Sequence, residues 1–294
     1  MKILSFHGWL GIGLIAIFWP LNWLVPHFSI NSELPLTVSH FGCIGFFPLW
    51  LGYCFVVSAL TCRRKGSSIL TRNIFAYLLL FVISAPSWWL FELINWRTQN
   101  WFYEGRSDFT NLQYAIFASI SFSTVIPAVF GSAEWVSTFN WTHQPLRGFR
   151  FTIRPRHTIL MFILGWLMLG LLIYRPRFFF PFVWISIHFI LEPINVWFGY
   201  RSLLNHTHSG NWHPVFSLAV GCLICGFFWE MWNFYSYPKW IYQVPFVNFW
   251  KIFEMPLLGY GGYIPFSFEV YALYHLVTGV FKIRLVCDPF KLGR

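Results

Sequence analysis

Long apolar runs alternate with short polar connections along the whole chain. Eight runs approach the roughly 20 residues that a helix needs to cross about 30 Å of hydrocarbon. They cover residues 8–25, 38–60, 74–95, 111–134, 158–174, 178–200, 214–235 and 256–281. Because backbone groups inside lipid must find partners within their own segment, the runs indicate helices rather than strands. We therefore predict an all-α, polytopic transmembrane bundle of about eight helices.

The composition also indicates a surface that faces lipid. Hydrophobic residues make up 57% of the 294 residues and charged residues only 10%, against about 25% in a typical soluble domain. Such a chain has too few polar side chains to cover its own surface. We conclude that part of its solvent must be lipid.

The basic residues, which produce a net charge of +10, lie in the connections between apolar runs. With eight spans, one side of the membrane holds 14 of the 20 Lys and Arg residues and the other side holds 6. Basic connections favour the cytoplasmic side and attract anionic headgroups. We therefore predict a cell inner-membrane protein with both termini and the loops near 61–73 and 135–157 in the cytoplasm. Membrane lipids are the expected partners, nucleic acid is not, and the oligomeric state is left open.

Three pairs of matching phrases occur in the same order in the two halves of the chain. They are displaced by 133, 138 and 138 residues: Pro48 with Pro181, Glu92 with Glu230, and Pro127 with Pro265. Collinear matches of this kind are typical of a duplicated unit. Since four spans are an even number, both copies insert the same way, as parallel repeats about an axis along the membrane normal. We predict two four-helix membrane repeats, 1–140 and 155–294, within one membrane domain.

Acidic residues inside the apolar runs are the first candidates for function, because a charge at membrane depth costs about 2.5–3.5 kcal/mol on insertion scales. Glu92 and Glu230 occupy equivalent positions in the predicted repeats. Each is followed three residues later by an asparagine, Asn95 or Asn233. This spacing places the acid and the amide on one helix face, where both can meet one ligand.

An aromatic-rich connection follows each of these Glu-x-x-Asn segments. Trp101 and Tyr103 follow the first segment, and Trp240 and Tyr242 follow the second. If the repeats face each other, these elements converge on one pseudo-symmetric site near the outer surface. We predict that the two amides and the four aromatic side chains bind the substrate and that the two glutamates are catalytic. Glu269, in the middle of the last apolar run, is the third catalytic candidate.

Four phrases give the chain a likeness to known proteins: FFPLWLGYCF, SAPSWWLFELINWRTQNWFY, FSTVIPAVFGSAE and WKIFEMPLLGYGGYIPFSFE. Over most of its length the chain resembles a family of bacterial multi-pass inner-membrane proteins whose activity is uncharacterised. This resemblance implies a location and not an activity. An acid just after a proline-bearing span is also similar to membrane-embedded lycopene cyclases, whose Pro-x-Glu-Glu type motif this sequence does not contain.

Three functions fit these residues. A carboxyl group among Trp and Phe favours its neutral form, so it could protonate a lipid or isoprenoid while aromatic faces stabilise the cation. Alternatively, acids at several depths could relay protons or bind ions in a transporter or channel. These acids are Glu92, Glu230, Glu269, Glu192 and Glu134. The third alternative is a non-catalytic or pigment-binding complex subunit, with His40, His188 or His275 as candidate ligands. The sequence contains no metal-ligand pattern and leaves the cofactor open.

Overall fold

The structure, a computed structural model, describes residues 4–29, 37–143, 148–284 and 287–290, without the side chains of 25–29 and 37–43. The protein is mostly helical, at 74%. The described α-helices are α1 (Phe6–Ser29), α2 (Thr37–Lys65), α3 (Ile69–Arg72), α4 (Ile74–Thr98), α5 (Asn111–Phe122), α6 (Val125–Val136), α7 (Pro155–Tyr174), α8 (Pro176–Phe179), α9 (Ser186–Trp197), α10 (Leu203–His208), α11 (His213–Phe234) and α12 (Tyr263–Val280).

Six segments in the described residues are long and apolar enough to cross a membrane, and they match the second to seventh apolar runs. They are Ile44–Lys65, Ile74–Thr98, Asn111–Val136, Pro155–Tyr174, Pro176–Trp197 and His213–Phe234. The first and eighth runs also fold as helices, α1 and α12, but neither belongs to these six. The prediction of a helical protein with several apolar spans is confirmed, and the number eight stays a prediction.

Two of the six segments are interrupted, although the apolar pattern predicts continuous helices. The fourth run divides into α5 and α6 at Ser123 and Thr124. The sixth apolar run begins as α8, continues as the 3-10 helix Phe180–Trp184, and ends as α9. Pro127 lies in the first turn of α6, and Pro181 lies in the first turn of the 3-10 helix. Proline is tolerated there because the first N–H groups of a helix have no partner inside the helix.

A serine from a neighbouring helix satisfies the backbone at the first break. The Ser84 hydroxyl of α4 donates to the Phe122 carbonyl at 2.6 Å and accepts from the Ile126 N–H at 3.0 Å. Irregular backbone at membrane depth persists where such groups replace the lost helical hydrogen bonds. The break between α5 and α6 is therefore part of the packed structure.

Helix α6 lies in the core of the bundle, in contact with α2, α4 and α11. Eleven of its twelve residues are buried. Gly221 of α11 permits close approach, because a methyl group added there would lie 2.6 Å from the Ala133 backbone nitrogen. Small residues at such crossings allow membrane helices to pack backbone against backbone.

In the part of the chain that the structure describes, two short antiparallel sheets lie outside the helices, a difference from the all-α prediction. Strand β1 (Trp101–Glu104) pairs with β2 (Lys239–Tyr242), and β3 (Lys251–Ile252) pairs with β4 (Met255–Pro256). The aromatic connections after α4 and α11 form β1 and β2, because aromatic side chains favour strands and the backbone needs partners. The β1–β2 ribbon therefore joins the two halves of the chain.

We expect Gly221→Ala to lower the stability of the solubilised protein by about 1–3 kcal/mol, because the added methyl group would displace the Ala133 backbone. The matched control is Gly170→Ala in α7, where an added methyl group meets no atom within 4 Å. That change should leave the melting temperature unchanged or raise it, since alanine favours a helix more than glycine does. Thermal unfolding followed by circular dichroism measures both, and equal shifts would contradict the close crossing.

Candidate functional site

An asparagine side chain turns the chain from helix to strand at both corners of the site. The Asn95 amide donates to the Trp101 carbonyl at 2.8 Å, and its oxygen accepts from the Asn100 N–H at 2.9 Å. The Asn233 amide donates to the Trp240 carbonyl at 2.7 Å, and its oxygen accepts from the Trp240 N–H at 2.9 Å. Both ends of each amide are thus bonded to the backbone, and a role for either in substrate binding stays a prediction.

Glu92, in the penultimate turn of α4, is the centre of the first hydrogen-bond network. Its Oε1 atom accepts from the indole N–H of Trp88 at 3.0 Å and of Trp101 at 2.9 Å. The Tyr103 hydroxyl donates to the same oxygen at 2.6 Å. Trp101 and Tyr103 reach it together because alternate residues of a strand point to the same face.

Glu230, in the last turns of α11, is the centre of the second network. Its Oε1 atom accepts from the hydroxyl of Tyr242 at 2.8 Å and from that of Tyr263 of α12. The residue is completely buried, and its Oε2 atom has no hydrogen-bond partner among the described residues. A carboxyl group in this position has one oxygen still able to take part in proton transfer.

The β1–β2 ribbon holds the two networks in register. Trp101 lies opposite Tyr242, and Tyr103 lies opposite Trp240. The tyrosine of each strand donates to the glutamate of the helix that precedes it. Six of the predicted site residues, the two glutamates and the four aromatic residues, therefore belong to one assembly.

The two ribbon tyrosines act as donors to the carboxyl groups. Burial and, next, the charge of the neighbouring glutamate raise the pKa of Tyr103 well above its usual value. The same two causes, in the same order, raise the pKa of Tyr242. Both phenol groups therefore keep their protons at neutral pH.

A cavity of about 160 Å³ is lined by the donors of both glutamates, Trp88, Trp101, Tyr103, Tyr242 and Tyr263. A dry apolar cavity of about 150 Å³ is large enough for benzene. The carboxyl groups themselves lie behind these donors, outside the lining. The other lining residues are mostly apolar or aromatic: Asn22, Phe46, Arg106, Phe109, Tyr114, Phe117, Ala118, Ser121, Phe122, Thr124, Val125, Trp184, Trp229, Pro238, Lys239, Trp240, Met255, Gly259, Gly262 and Phe266.

Two cationic side chains lie in the cavity wall. The Lys239 ammonium is ion-paired with Glu254 at 2.6 Å. The Arg106 guanidinium donates to the Phe109 carbonyl at 2.9 Å and to the Asn111 side-chain oxygen at 2.6 Å. The two cations thus differ, because one is paired with an acid and the other is held by neutral groups.

Glu269 and Glu192 lie away from this cavity, at the N-termini of other helices. Glu269 accepts from the Ile187 N–H at 3.1 Å and the His188 N–H at 3.4 Å, at the start of α9. Glu192 accepts from the Leu204 N–H at 2.7 Å, at the start of α10. Helix N-termini attract carboxyl groups through their unpaired N–H groups and their dipole. These contacts stabilise the positions of α9 and α10.

Glu134 has a similar structural environment with added charge pairs. It accepts from the Ile69 N–H at 2.8 Å, at the start of α3. Its Oε1 atom also lies 2.9 Å from the Lys65 ammonium and 2.6 Å from an Arg72 guanidinium nitrogen. The five acids therefore form two groups. Donors to Glu92 and Glu230 line the cavity, whereas Glu134, Glu192 and Glu269 bind helix N-termini.

Several residues of the site escape a sequence-based analysis. Trp88 lies four residues before the first glutamate, so helical spacing could have identified it as a same-face partner. Tyr263, Trp184 and Phe266 come from distant segments. Only the folded chain brings these three to the cavity, and in a chain with 23% aromatic residues no local pattern marks them.

Two of the three histidines considered as pigment ligands, His188 and His275, do not form part of this site. His188 and His275 are buried and do not line the cavity. The side chain of His40 lies outside the described residues. Across the part of the chain that the structure describes, no three His, Cys, Asp or Glu side chains are grouped to hold a metal ion.

No protein-family model, curated protein or solved structure matches the chain. The function must therefore be inferred from the geometry of the site.

We expect Asn95→Ala and Asn233→Ala each to lower stability by about 1–3 kcal/mol, because buried backbone groups of the ribbon corners lose their partners. Asn140→Ala is the control, since Asn140 is exposed and its loss should change stability by less than about 0.5 kcal/mol. Thermal unfolding of the purified protein measures all three. Sensitivity at one corner alone would contradict the equivalence of the two asparagines.

Proposed function

We propose that this integral membrane protein takes a hydrophobic lipid or isoprenoid into the aromatic cavity and acts on it by acid–base chemistry. The observation that supports this most strongly is the shared lining, since donors of both buried glutamates face one apolar space. Ligand sites typically combine an apolar cavity with a few convergent polar groups. A hydrophobic molecule in this cavity would touch two hydroxyl groups, each backed by a carboxyl group.

In the proposed reaction, the Tyr103 hydroxyl first rotates away from Glu92 towards the substrate. A protonated Glu92 then passes its proton to the Tyr103 oxygen while the Tyr103 hydroxyl proton adds to one carbon of a C=C bond. The π electrons form the new C–H bond and leave a carbocation, which the surrounding ring faces stabilise. Glu230, acting through Tyr242, then removes a proton from a neighbouring carbon, and that C–H electron pair restores a double bond. One proton moves from Glu92 to Glu230, and the substrate is rearranged without oxidation or reduction.

The alternative functions have less support. A transporter or channel that uses Glu269 needs an aqueous path to it, whereas Glu269 is fully buried and lies outside the cavity lining. A non-catalytic scaffold does not account for one apolar cavity that is lined by donors of both glutamates. A polyene is the substrate class that the likeness to lycopene cyclases would imply.

We also propose that residues 1–140 and 155–294 are parallel repeats. The matched corners support this proposal. In the first corner, Asn95 binds the Trp101 carbonyl and Tyr103 donates to Glu92. In the second corner, Asn233 binds the Trp240 carbonyl and Tyr242 donates to Glu230. A two-fold axis that passes between the antiparallel strands β1 and β2 would relate the two corners, as expected for such repeats.

We propose an inner-membrane location with both termini in the cytoplasm, from the distribution of Lys and Arg and the family resemblance. A green fluorescent protein fused after Arg294 should therefore fluoresce, and alkaline phosphatase at that position should be inactive. Alkaline phosphatase fused after Arg106 should be active, because that connection lies on the opposite side. Phosphatase activity at the C-terminal fusion would contradict the orientation.

We expect Ala118→Trp to expel the bound hydrophobic molecule, because Ala118 lines the cavity and an indole would occupy a space about the size of benzene. Mass spectrometry of lipids extracted from the purified protein should show a molecule enriched in the wild type and depleted at least about tenfold in this variant. Ala115→Trp is the matched control on the same helix, since Ala115 does not line the cavity. Equal retention by both variants, with unchanged melting temperatures, would contradict the proposed binding site.

The same retained molecule tests the acid–base step. After the wild-type protein is incubated in D₂O, the carbon-bound hydrogens of the retained molecule should exchange for deuterium. Glu92→Gln and Glu230→Gln should each slow this exchange about 100-fold or more, which is the usual contribution of a general acid or base. Glu192→Gln is the control at a buried acid outside the cavity. If the wild-type protein retains the molecule but the molecule takes up no deuterium, the proposed acid–base chemistry is contradicted while the proposed binding is not.

A further inference from the structure

Arg106 is a cation of the cavity wall that the proposed acid–base chemistry does not use. It begins the short 3-10 helix Arg106–Asp108 directly after β1, and its side chain is half-buried in the cavity wall. Its guanidinium makes no ion pair with a carboxylate of the described residues. A cation at the edge of an apolar cavity is stabilised when an anion joins it, because burial without a partner is costly.

Neutral contacts hold the guanidinium in a fixed plane. Its two terminal nitrogens donate to the Phe109 carbonyl at 2.9 Å and the Asn111 side-chain oxygen at 2.6 Å. Its central carbon lies 4.2 Å from the centre of the Tyr114 ring. A guanidinium has five N–H donors, so donors remain for a ligand, and its flat fork matches a phosphate or carboxylate.

The described acids near the cavity make contacts with groups other than Arg106. Glu254 is paired with Lys239, the other cation of the wall, at 2.6 Å. Asp108 accepts from the Tyr237 hydroxyl at 2.8 Å. Glu92 and Glu230 lie outside the lining, behind their own donors. Among the described residues, therefore, no acid forms an ion pair with Arg106, and its remaining N–H donors can bind an anion in the cavity.

We propose that the occupant is an amphiphile with an acidic headgroup, a phosphate or carboxylate, which Arg106 binds while the first carbons of its chain occupy the aromatic part of the cavity. This inference rests on the proposed function and adds the substrate class. A space about the size of benzene takes roughly one isoprene unit next to the head, and the remaining chain lies outside it. The headgroup would then place the adjoining carbons beside the two ribbon tyrosines.

The test is calorimetric titration of the full-length solubilised protein with soluble six-carbon probes. We expect hexyl phosphate to bind at least about tenfold more tightly than hexan-1-ol to the wild type. Arg106→Gln should remove this preference, and Arg106→Lys should keep part of it because the charge remains without the fork. Arg97→Gln is the matched control, since Arg97 is exposed at the end of α4 and does not line the cavity.

Two further probes separate the sources of the anion. Inorganic phosphate alone should bind at least about tenfold more weakly than hexyl phosphate, and equal binding would overturn the proposal in favour of a free-phosphate site. Dihexanoyl phosphatidic acid tests a two-chain membrane lipid, and tighter binding than hexyl phosphate would identify that source of the same headgroup. Melting temperatures show that each variant is folded.

The outcomes also separate this inference from the proposed function. Equal affinity for hexyl phosphate and hexan-1-ol would overturn the headgroup assignment while leaving a hydrophobic site. An unchanged preference in Arg106→Gln would overturn the role of this residue. Binding of neither six-carbon probe would contradict the proposed function and this inference together.

Discussion

A carboxyl group among hydrocarbon and aromatic side chains must accept hydrogen bonds from the protein, because lipid cannot replace water as a donor. In this chain the donors repeatedly come from a different segment. The ribbon donates to Glu92 and Glu230, and the backbone of a helix start donates to Glu134, Glu192 and Glu269. Each of these acids thus joins its helix to another element, which is the next one along the chain for Glu92 and Glu192 and a distant one for Glu134 and Glu269.

The same chemistry explains why two acids are candidates for function and three are not. A helix N-terminus presents N–H groups whose positions are set by the backbone, so an acid bound there is held and covered. Glu92 and Glu230 instead bind phenol and indole groups that also face a cavity. A phenol can both give and receive a proton, whereas a backbone amide can only donate a hydrogen bond.

Sequence patterns predicted the apolar spans and the principal acids, because hydrocarbon thickness and the cost of buried charge act on local composition. They also indicated Trp101, Tyr103, Trp240 and Tyr242 beside the acids, and the structure brings all four to one ribbon. The break before α9 was not predicted, because apolar side chains occur on both sides of it. Tyr263 was not identified either, since its contact with Glu230 depends on how α12 packs against α11.

The β1–β2 ribbon also ties the two halves of the site mechanically. Tyr103 and Tyr242 lie on paired strands whose backbone bonds span both halves of the chain, and each tyrosine holds a different glutamate. A molecule that pushes one phenol aside must shift or twist the strand that carries it, and the partner strand moves with it. The ribbon thus couples the position of the donor to Glu92 with the position of the donor to Glu230.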